Sequence, residues 1–369
     1  MCVSPLYIKN PYRGHNKVGI YKNSYWMHDY VSEFIPVPCG VCRECIALKQ
    51  MYIVQRVQME ALNSFLYFTT LTYSNDFLPH FSCANGVRIP FADITHLQNF
   101  FKRLRNDNAF SRPFRYLAVS ERGGVKGRPH FHILWFLPRY DGELYSDGLN
   151  YESLLHDVIF ENWSVNLGSR RVPDYHPLCE YHEKFFRGKL YRNYDTHFVS
   201  PSFTSDGVSS VAFYVCKYLM KQNDKERRLQ QALRLNLDPV DYDEAWSVVK
   251  SRSLRSVHFG LMQTDLSSSL QIVNYLRECV RRSKGEKYPM FFQPDSSLSF
   301  PLAPYYKNKG YIFTPSDWMD FHMNDDSVFC DFNKSSTHCF SAVDSFEKMS
   351  KIADGHDIGL EFNNLFYGD

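Results

Sequence analysis

"FRYLAVSERGGVKGRPHFHILWF", residues 114–136, predicts two antiparallel strands joined by a tight turn. Both ends are rich in β-branched and aromatic residues, which favour strands, and the central glycines favour a turn. Because side chains alternate between the faces of a strand, His130 and His132 would point to the same side of the sheet. The hairpin would also bring Glu121, at the end of the first strand, beside both imidazoles.

The segments around this hairpin predict the rest of an α+β fold. "FLYFTTLTY" (65–73) predicts a strand, and "DITHLQNFFKRLRN" (93–106) predicts a helix with its apolar residues in one stripe. "SSVAFYVCKYLMKQ" (209–222) predicts another helix, and residues 244–257 a further helical or loop region. The order strand, helix, strand, strand, helix indicates an α+β sandwich whose helices pack on one face of an antiparallel sheet.

We expect three regions along the 369 residues. Residues 1–60 would be a cysteine-rich segment packed on the core, residues 61–260 the main domain, and residues 261–369 an extension with an acidic tail. Residues 138–205 mix aromatic, charged and turn residues without a sustained period, so we interpret them as an insertion. One further strand is predicted near "THFVSPSF" (196–203).

The composition, with 44% apolar and 16% aromatic residues, is that of a folded protein. Residues 102–139 carry nine lysines or arginines against two acidic residues, whereas residues 316–369 carry eleven acidic residues against three lysines. The basic middle predicts a polyanion-binding surface, a role that the acidic tail cannot share. Neither a signal peptide nor a membrane-spanning stretch is evident, so we expect a protein of a reducing cytoplasm that makes no use of membranes.

The predicted cluster of two histidines and one carboxylate has the composition of an open metal site. Such a ligand set leaves coordination positions free on a divalent cation, which a structural site would not. The alternative is that His130 and His132 are merely polar residues at the exposed end of a buried strand. Glu121 and the basic turn favour the metal site.

The helix predicted at 209–222 has one face made of two tyrosines and two lysines at helical spacing: Tyr214, Lys217, Tyr218 and Lys221. A solvated polar face is one interpretation. A nucleophilic site is the other, because a nearby lysine stabilises a phenolate and a metal ion polarises a phosphate oxygen. A tyrosine activated in this way can attack a DNA phosphodiester.

Two further groups of residues are candidates for binding. In "VPCGVCREC" (37–45), three cysteines spaced by two residues could direct their sulfurs at one structural zinc ion, with another cysteine of the chain as the fourth ligand: Cys39, Cys42, Cys45 and Cys2. Three idle thiols are the alternative. In the turn "ERGGVKGRP" (121–129), glycines would let the backbone approach a phosphate while three cations hold the strand: Arg122, Lys126 and Arg128.

Three motifs in the same order resemble the HUH endonucleases, and most closely the replication initiators of small single-stranded DNA phages, the Microviridae. These motifs are "FTTLTY" (68–73), "SERGGVKGRPHFH" (120–132) and "YVCKYLMK" (214–221). The cysteine-rich segment resembles that of the gokushovirus members. The resemblance covers roughly residues 1–260.

The resemblance implies an RRM-like or ferredoxin-like sandwich at residues 61–260. It also implies that His130 and His132 bind Mg²⁺ or Mn²⁺, with Glu121 as third ligand, and that Tyr214 and Tyr218 are paired nucleophiles followed by lysines. The expected function is strand-specific nicking and joining of DNA, which starts rolling-circle replication in the cytoplasm of a bacterial host.

The expected partners are a single-stranded replication origin and host replication proteins. A host helicase would unwind the duplex, since the sequence contains no GxxxxGK[ST] phosphate loop. Three other interpretations stay open at this point. They are a non-catalytic, zinc-dependent nucleic-acid-binding protein, a plasmid relaxase and a single-strand transposase.

Overall fold

The computed structural model describes most of the chain up to residue 307. The described residues are 4–10, 13, 32–123, 127–179, 183–186, 189–192, 195–199, 208–220, 224–261, 266–284, 289–294, 299–307 and 312. The chain divides into two compact units. The first comprises Met1–Leu62, Ser202–Cys216 and Gly260–Ile352, and the second comprises Asn63–Pro201, Lys217–Phe259 and Ala353–Asp369.

Helices and short strands alternate along the described chain. The helices are α1 (Arg43–Ala61), α2 (Ile94–Asn106), α3 (Glu152–Asn162), α4 (Val208–Met220), α5 (Asp224–Asn236), α6 (Pro239–Val249), α7 (Leu266–Arg282) and α8 (Pro304–Lys307), and a 3₁₀ helix spans Tyr145–Tyr151. The strands are β1 (Leu6–Lys9), β2 (Phe34–Val37), β3 (Ser64–Leu71), β4 (His80–Ser82), β5 (Arg88–Pro90), β6 (Arg115–Arg122), β7 (Pro129–Pro138), β8 (Ser164–Asn166), β9 (Tyr175–Pro177), β10 (Glu183–Phe186), β11 (Lys189–Arg192), β12 (Asp195–Val199), β13 (Ser253–Arg255), β14 (Met290–Phe292) and β15 (Ser299–Pro301).

A five-stranded sheet organises the second unit. Its spatial order is β12-β3-β7-β6-β13, and every neighbouring pair is antiparallel. Along the chain its first four strands follow the pattern strand, helix, strand, strand, helix, strand, with α2 and α3 as the helices. The predicted α+β class with an antiparallel sheet is therefore confirmed.

One face of this sheet packs against α2 and α3. Phe131, Ile133 and Trp135 alternate along β7 and join residues of both helices in a single apolar cluster. Trp135 makes edge-on contacts with Phe100 and Phe101 of α2, at 5.9 and 5.5 Å between ring centroids. Aromatic pairs in this arrangement add to the stabilisation from burial alone. The helices on this face thereby fix the position of β7.

The opposite face of β7 carries the two histidines. Strand pairing places Thr70 opposite His132 and Glu121 opposite His130. His130 and His132 are buried, with exposures of 3% and 2%. The two faces of β7 thus have different tasks, since aromatic residues on one face anchor the strand and imidazoles on the other converge.

The first unit is built around α1 and α7, which share an apolar cluster. Side chains of α1 also bind backbone groups that lie far away in sequence. The Gln55 amide donates to the Pro301 carbonyl at 2.8 Å and accepts from the Ala303 N–H at 2.9 Å. Glu60 accepts from the Gly260 N–H at 2.7 Å. These polar contacts tie the C-terminal part of this unit to α1.

Residues 138–205 supply more of the sheet and core than a surface insertion would. Strand β12, which covers the strand predicted near "THFVSPSF", forms an edge of the main sheet. Leu155 and Ile159 of α3 are fully buried in the same apolar cluster as α2. The acidic tail after residue 312 lies outside the described residues. Among the helices of the described part, none has both the length and the apolar character needed to cross a bilayer.

Candidate active site

The hairpin of β6 and β7 holds the candidate metal ligands. The backbone closes its turn with hydrogen bonds from the Gly123 N–H to the Arg128 carbonyl at 2.9 Å and from the Gly127 N–H to the Gly123 carbonyl at 3.0 Å. Gly127 has a φ of +68°, in the left-handed region where glycine is favoured. Beyond this turn, Glu121 and His130 are directly paired neighbours.

Three ligand atoms converge on one point of this hairpin. The His132 Nε2 atom lies 3.1 Å from the His130 Nε2 atom and 3.0 Å from the Glu121 Oε2 atom. The His130 Nε2 atom lies 3.5 Å from the same carboxylate oxygen. All three side chains are largely buried, with side-chain exposures of 4%, 2% and 11% for His130, His132 and Glu121.

The triangle of ligand atoms fits a single divalent cation. Neighbouring ligands about 2.1 Å from an octahedral ion lie about 3.0 Å apart, and tetrahedral ones about 3.4 Å apart. The observed separations of 3.0, 3.1 and 3.5 Å span this range. Three protein ligands leave positions open for substrate oxygens. These residues are therefore able to hold Mg²⁺ or Mn²⁺, although the geometry does not select between them.

Each imidazole is oriented through its other ring nitrogen. The His130 Nδ1–H donates to the Arg128 carbonyl at 3.2 Å, so its Nε2 atom keeps a lone pair when the ring is neutral. The His132 Nδ1 atom lies 3.0 Å from the Thr70 hydroxyl oxygen, and Phe68 stacks on the same ring. Such partners fix the tautomer and direction of metal-binding histidines. Sequence reasoning quoted Thr70 within a motif but gave it no role.

The electrostatics of the cluster favour a bound cation. Burial by itself raises the pKa of Glu121, but hydrogen bonds from His130 and His132 outweigh it and lower this pKa to about 2. Burial lowers the pKa of His132, despite the opposing effect of the Glu121 carboxylate. The cluster thus offers an ionised carboxylate and a neutral imidazole, the forms that bind metals. A buried negative charge is costly unless a cation balances it.

The basic residues of the turn occupy different environments. The Arg122 side chain is buried and donates to the Val249 carbonyl at 3.0 Å, and burial lowers its pKa to about 10. This location does not favour the phosphate contact predicted for Arg122. Arg128 donates to the Tyr73 carbonyl and to Asn75 Oδ1, so it ties the turn to the end of β3. Lys126 lies outside the described residues.

The predicted nucleophiles belong to α4, which begins one residue before the predicted helix and ends at Met220. Tyr214 is half-buried, whereas Val215 and Cys216 are fully buried. In the first unit, the Gln50 amide of α1 donates to the Cys216 carbonyl at 3.2 Å. Lys217 is half-buried in the second unit. The Tyr218 side chain and Lys221 lie outside the described part, so the catalytic roles of these residues stay predictions.

The cysteine motif also forms a cluster. The Sγ atoms of Cys39, Cys42 and Cys45 all lie within 4.8 Å of one another. Cys2 lies outside the described residues. In the described part of the chain, this group and the Glu121 cluster are the groups of three or more side chains arranged to hold a metal ion.

Comparison with known proteins places these features in a family. Residues 66–223 match the family model of the ORF2 replication-associated proteins. The chain is 36% identical over 107 residues to "Replication-associated protein ORF4" of Chlamydia phage 1, which is 27% of this chain and 24% of that protein. It is 29% identical over 155 residues to "Replication-associated protein ORF2" of Spiroplasma virus 4, which is 38% of this chain and 46% of that protein.

The chain thus spans less than half the length of either curated relative. No solved structure matches it. The segment matched by the family model contains the whole β6–β7 hairpin with its ligand cluster, and also Tyr214 of α4. Over residues 66–223, this chain is therefore related to the replication-associated proteins of the ORF2 family.

Proposed function

We propose that this chain is an HUH-type DNA nicking and joining enzyme that starts rolling-circle replication of a phage genome of the Microviridae type. The observation that carries the proposal is the convergence of Glu121, His130 and His132 within 3.0 to 3.5 Å of one another. The relatives' names, which describe replication-associated proteins of a phage and a virus, support the biological setting.

The connectivity of the main sheet supports the proposed RRM-like or ferredoxin-like nuclease fold. Numbered along the chain, β3, β6, β7 and β12 are the first to fourth strands, and they lie in the spatial order fourth, first, third, second. This is the strand, helix, strand, strand, helix, strand pattern of a ferredoxin-like sandwich. Its two central strands, β3 and β7, carry Thr70 and the two histidines, so the cluster lies on the most constrained part of the sheet.

The reaction proposed is attack by a tyrosine oxygen of α4 on a backbone phosphate of single-stranded DNA. A bond forms between the phenolic oxygen and phosphorus, and the bond from phosphorus to the 3′-oxygen breaks. The leaving 3′-oxygen takes the electron pair and a proton, while the phenolic proton passes to solvent. The products are a 5′-phosphotyrosine link and a free 3′-hydroxyl that can prime synthesis.

Each group has a proposed task in this step. Mg²⁺ or Mn²⁺ at the cluster would polarise a phosphate oxygen and stabilise the charge that develops on it. Thr70 and the Arg128 carbonyl hold the two imidazoles in the orientation for binding. The phenol of Tyr214 has an ordinary pKa near 10, so about one molecule in a thousand is ionised at neutral pH. Lys217, three residues later on the helix, would stabilise the phenolate.

Two tyrosines allow two successive strand transfers. Tyr218 follows Tyr214 by one helical turn, so one phenol could hold the first 5′ end while the other cleaves the regenerated junction. Lys221 would serve Tyr218 as Lys217 serves Tyr214. The proposed partners are a single-stranded origin and the host's helicase and replication proteins, and the proposed place of action is the bacterial cytoplasm.

The test is formation of a covalent protein–DNA adduct. Single-stranded oligonucleotides that tile the genome encoding this chain, each labelled at the 3′ end, are incubated with the protein and Mn²⁺ and then separated under denaturing conditions. We expect one oligonucleotide to give a labelled adduct that chelation of Mn²⁺ prevents. Mass spectrometry of the digested adduct should map the DNA to Tyr214 or Tyr218.

The variants decide between a nuclease and a simple binding protein. Replacement of both Tyr214 and Tyr218 by Phe should abolish the adduct and spare DNA binding. Tyr140→Phe is the matched control, because Tyr140 is 45% exposed and has no proposed role. An adduct that persists in the double variant would refute the nucleophile assignment. A gel shift without any adduct, in the intact protein, would instead favour the non-catalytic nucleic-acid-binding protein.

A further inference from the structure

The cluster of Cys39, Cys42 and Cys45 has the geometry of a single-ion site. The Cys39 and Cys45 sulfurs lie 4.0 Å apart, and all three sulfurs lie within 4.8 Å of one another. Sulfurs about 2.3 Å from a tetrahedral zinc ion lie about 3.8 Å apart. A sulfur pair in a disulfide is bonded at about 2 Å, and these three cysteines are free thiols. The observed spacing therefore fits three ligands of one ion.

The backbone around the cluster is folded to present the sulfurs. The Cys42 N–H donates to the Cys39 sulfur at 3.3 Å, which turns the chain tightly between the two residues. Gly40 within this turn has a φ of +77°, which a residue with a side chain rarely adopts. Lys49 donates to the Gly40 carbonyl at 2.9 Å and brings a positive charge to the loop. An N–H directed at sulfur stabilises a thiolate more than a thiol.

The first turn of α1 gives a second reason for a ligand at this place. Cys42 is the N-cap of α1, and no side chain caps the free N–H groups there. Cysteine is a poor substitute for Ser, Thr, Asp or Asn at this position. The partial positive charge of a helix N-terminus favours thiolates. A 19-residue helix without a cap gains most from a cross-link at this end.

We propose that Cys39, Cys42 and Cys45 bind one structural zinc ion as thiolates and thereby tie the start of α1 to the loop after β2. Soft sulfur ligands select zinc over Mg²⁺ and Mn²⁺, so this site is chemically distinct from the Glu121 cluster. Binding releases the thiol protons to solvent. The proposal rests on the three described cysteines and is independent of the nuclease function.

The zinc ion stabilises the first unit through α1. Gln55, Met59 and Glu60 of this helix contact the C-terminal part of the same unit, through two backbone clamps and an apolar cluster. Fraying at the start of α1 would weaken the support of these contacts. Removal of zinc should therefore lower the melting temperature of the whole chain.

The decisive variant is Cys42→Ser. Serine is a better N-cap than cysteine, so without a metal site this change should leave the melting temperature unchanged or raise it. With the proposed site, it should lower both the zinc content and the melting temperature. Zinc is measured by mass spectrometry on full-length protein in which His130 and His132 are replaced by Ala, so that the Glu121 cluster cannot contribute.

We expect about one zinc ion per chain in this background, and a loss of most of it in Cys39→Ser, Cys42→Ser and Cys45→Ser. Cys83→Ser, a buried cysteine outside the cluster, should keep its zinc. Substitution with Co²⁺ gives a second readout, since thiolate ligation produces a charge-transfer absorption that the cluster variants should lose. Equal zinc content in Cys42→Ser and its parent, or a higher melting temperature in Cys42→Ser, would overturn the proposal.

Discussion

Thr69 and Thr70 are adjacent in β3 but should have opposite effects when replaced by Val. The Thr70 hydroxyl contacts the His132 Nδ1 atom at 3.0 Å, on the face of the metal cluster. The Thr69 hydroxyl accepts a hydrogen bond from the Trp135 indole N–H at 3.0 Å, on the face that packs against α2. Valine keeps the branched shape that suits a strand and removes only the hydroxyl.

The size of each effect follows from the partner that is lost. Loss of an orienting partner of a metal-binding histidine typically weakens binding by about 10 to 100-fold, or about 1.4 to 2.7 kcal/mol, and this is the expectation for Thr70→Val. Thr69→Val leaves the indole N–H unsatisfied at a fully buried position, which costs about 1 to 3 kcal/mol of folding free energy. Thr70→Val should change folding stability less, because Thr70 is only half-buried.

Two measurements separate these outcomes. Calorimetric titration with Mn²⁺ reports on the Glu121 cluster, since Mn²⁺ prefers oxygen and nitrogen ligands over thiolates. Urea unfolding of the metal-free protein reports the folding free energy. If Thr69→Val weakens Mn²⁺ binding as much as Thr70→Val does, or if Thr70→Val binds Mn²⁺ as the parent does, the assignment of the two faces is refuted.

Two further predictions concern stability. Asp93→Ala should lower the folding free energy by about 1 kcal/mol in urea unfolding, because Asp93 caps α2 by accepting from the Thr95 N–H at 2.7 Å; Asp107→Ala, at the C-terminal end where a negative charge is unfavourable, should not destabilise. The hydrogen bonds from Arg112 lower the pKa of Glu143, so this pair stabilises the fold above the carboxyl's ordinary pKa, and the stability is lost as pH falls through the lowered value. Glu143→Gln should therefore lose less urea resistance than the parent on acidification, and an equal loss in both proteins would contradict this.

The parts of the fold with a strong local pattern were predictable. Alternation and a glycine turn predicted β6 and β7, and the helical period predicted α2. Helix α3 was missed because only Leu155 and Ile159 of its eleven residues are buried, while Leu154 between these turns is 47% exposed. Two buried positions are too few to establish a period, and only the tertiary contacts with α2 and the sheet reveal that α3 belongs to the core.

The candidate site was predictable where it depended on one hairpin. Glu121 and His130 come together through a local turn, whereas the contact between Thr70 and His132 needs a strand pairing across 62 residues, which spacing alone does not give. The burial of Arg122 follows from an alternation that the prediction did not apply. Because Glu121 points to the cluster, its neighbour must point to the other face, where Arg122 meets the Val249 carbonyl.

The two ligand clusters divide the chemistry of the chain between hard and soft donors. Zinc also binds imidazole and carboxylate, and its intrinsic affinity for such a site exceeds that of Mn²⁺. Affinity alone therefore cannot keep zinc out of the Glu121 cluster, so Mg²⁺ or Mn²⁺ must occupy it through abundance and through the oxygen ligands that a DNA phosphate adds. The thiolate cluster needs no such help, because sulfur excludes both hard cations. A preparation exposed to excess zinc should accordingly load both sites, and only the cluster of Glu121, His130 and His132 should exchange its ion for Mn²⁺ when zinc is withdrawn.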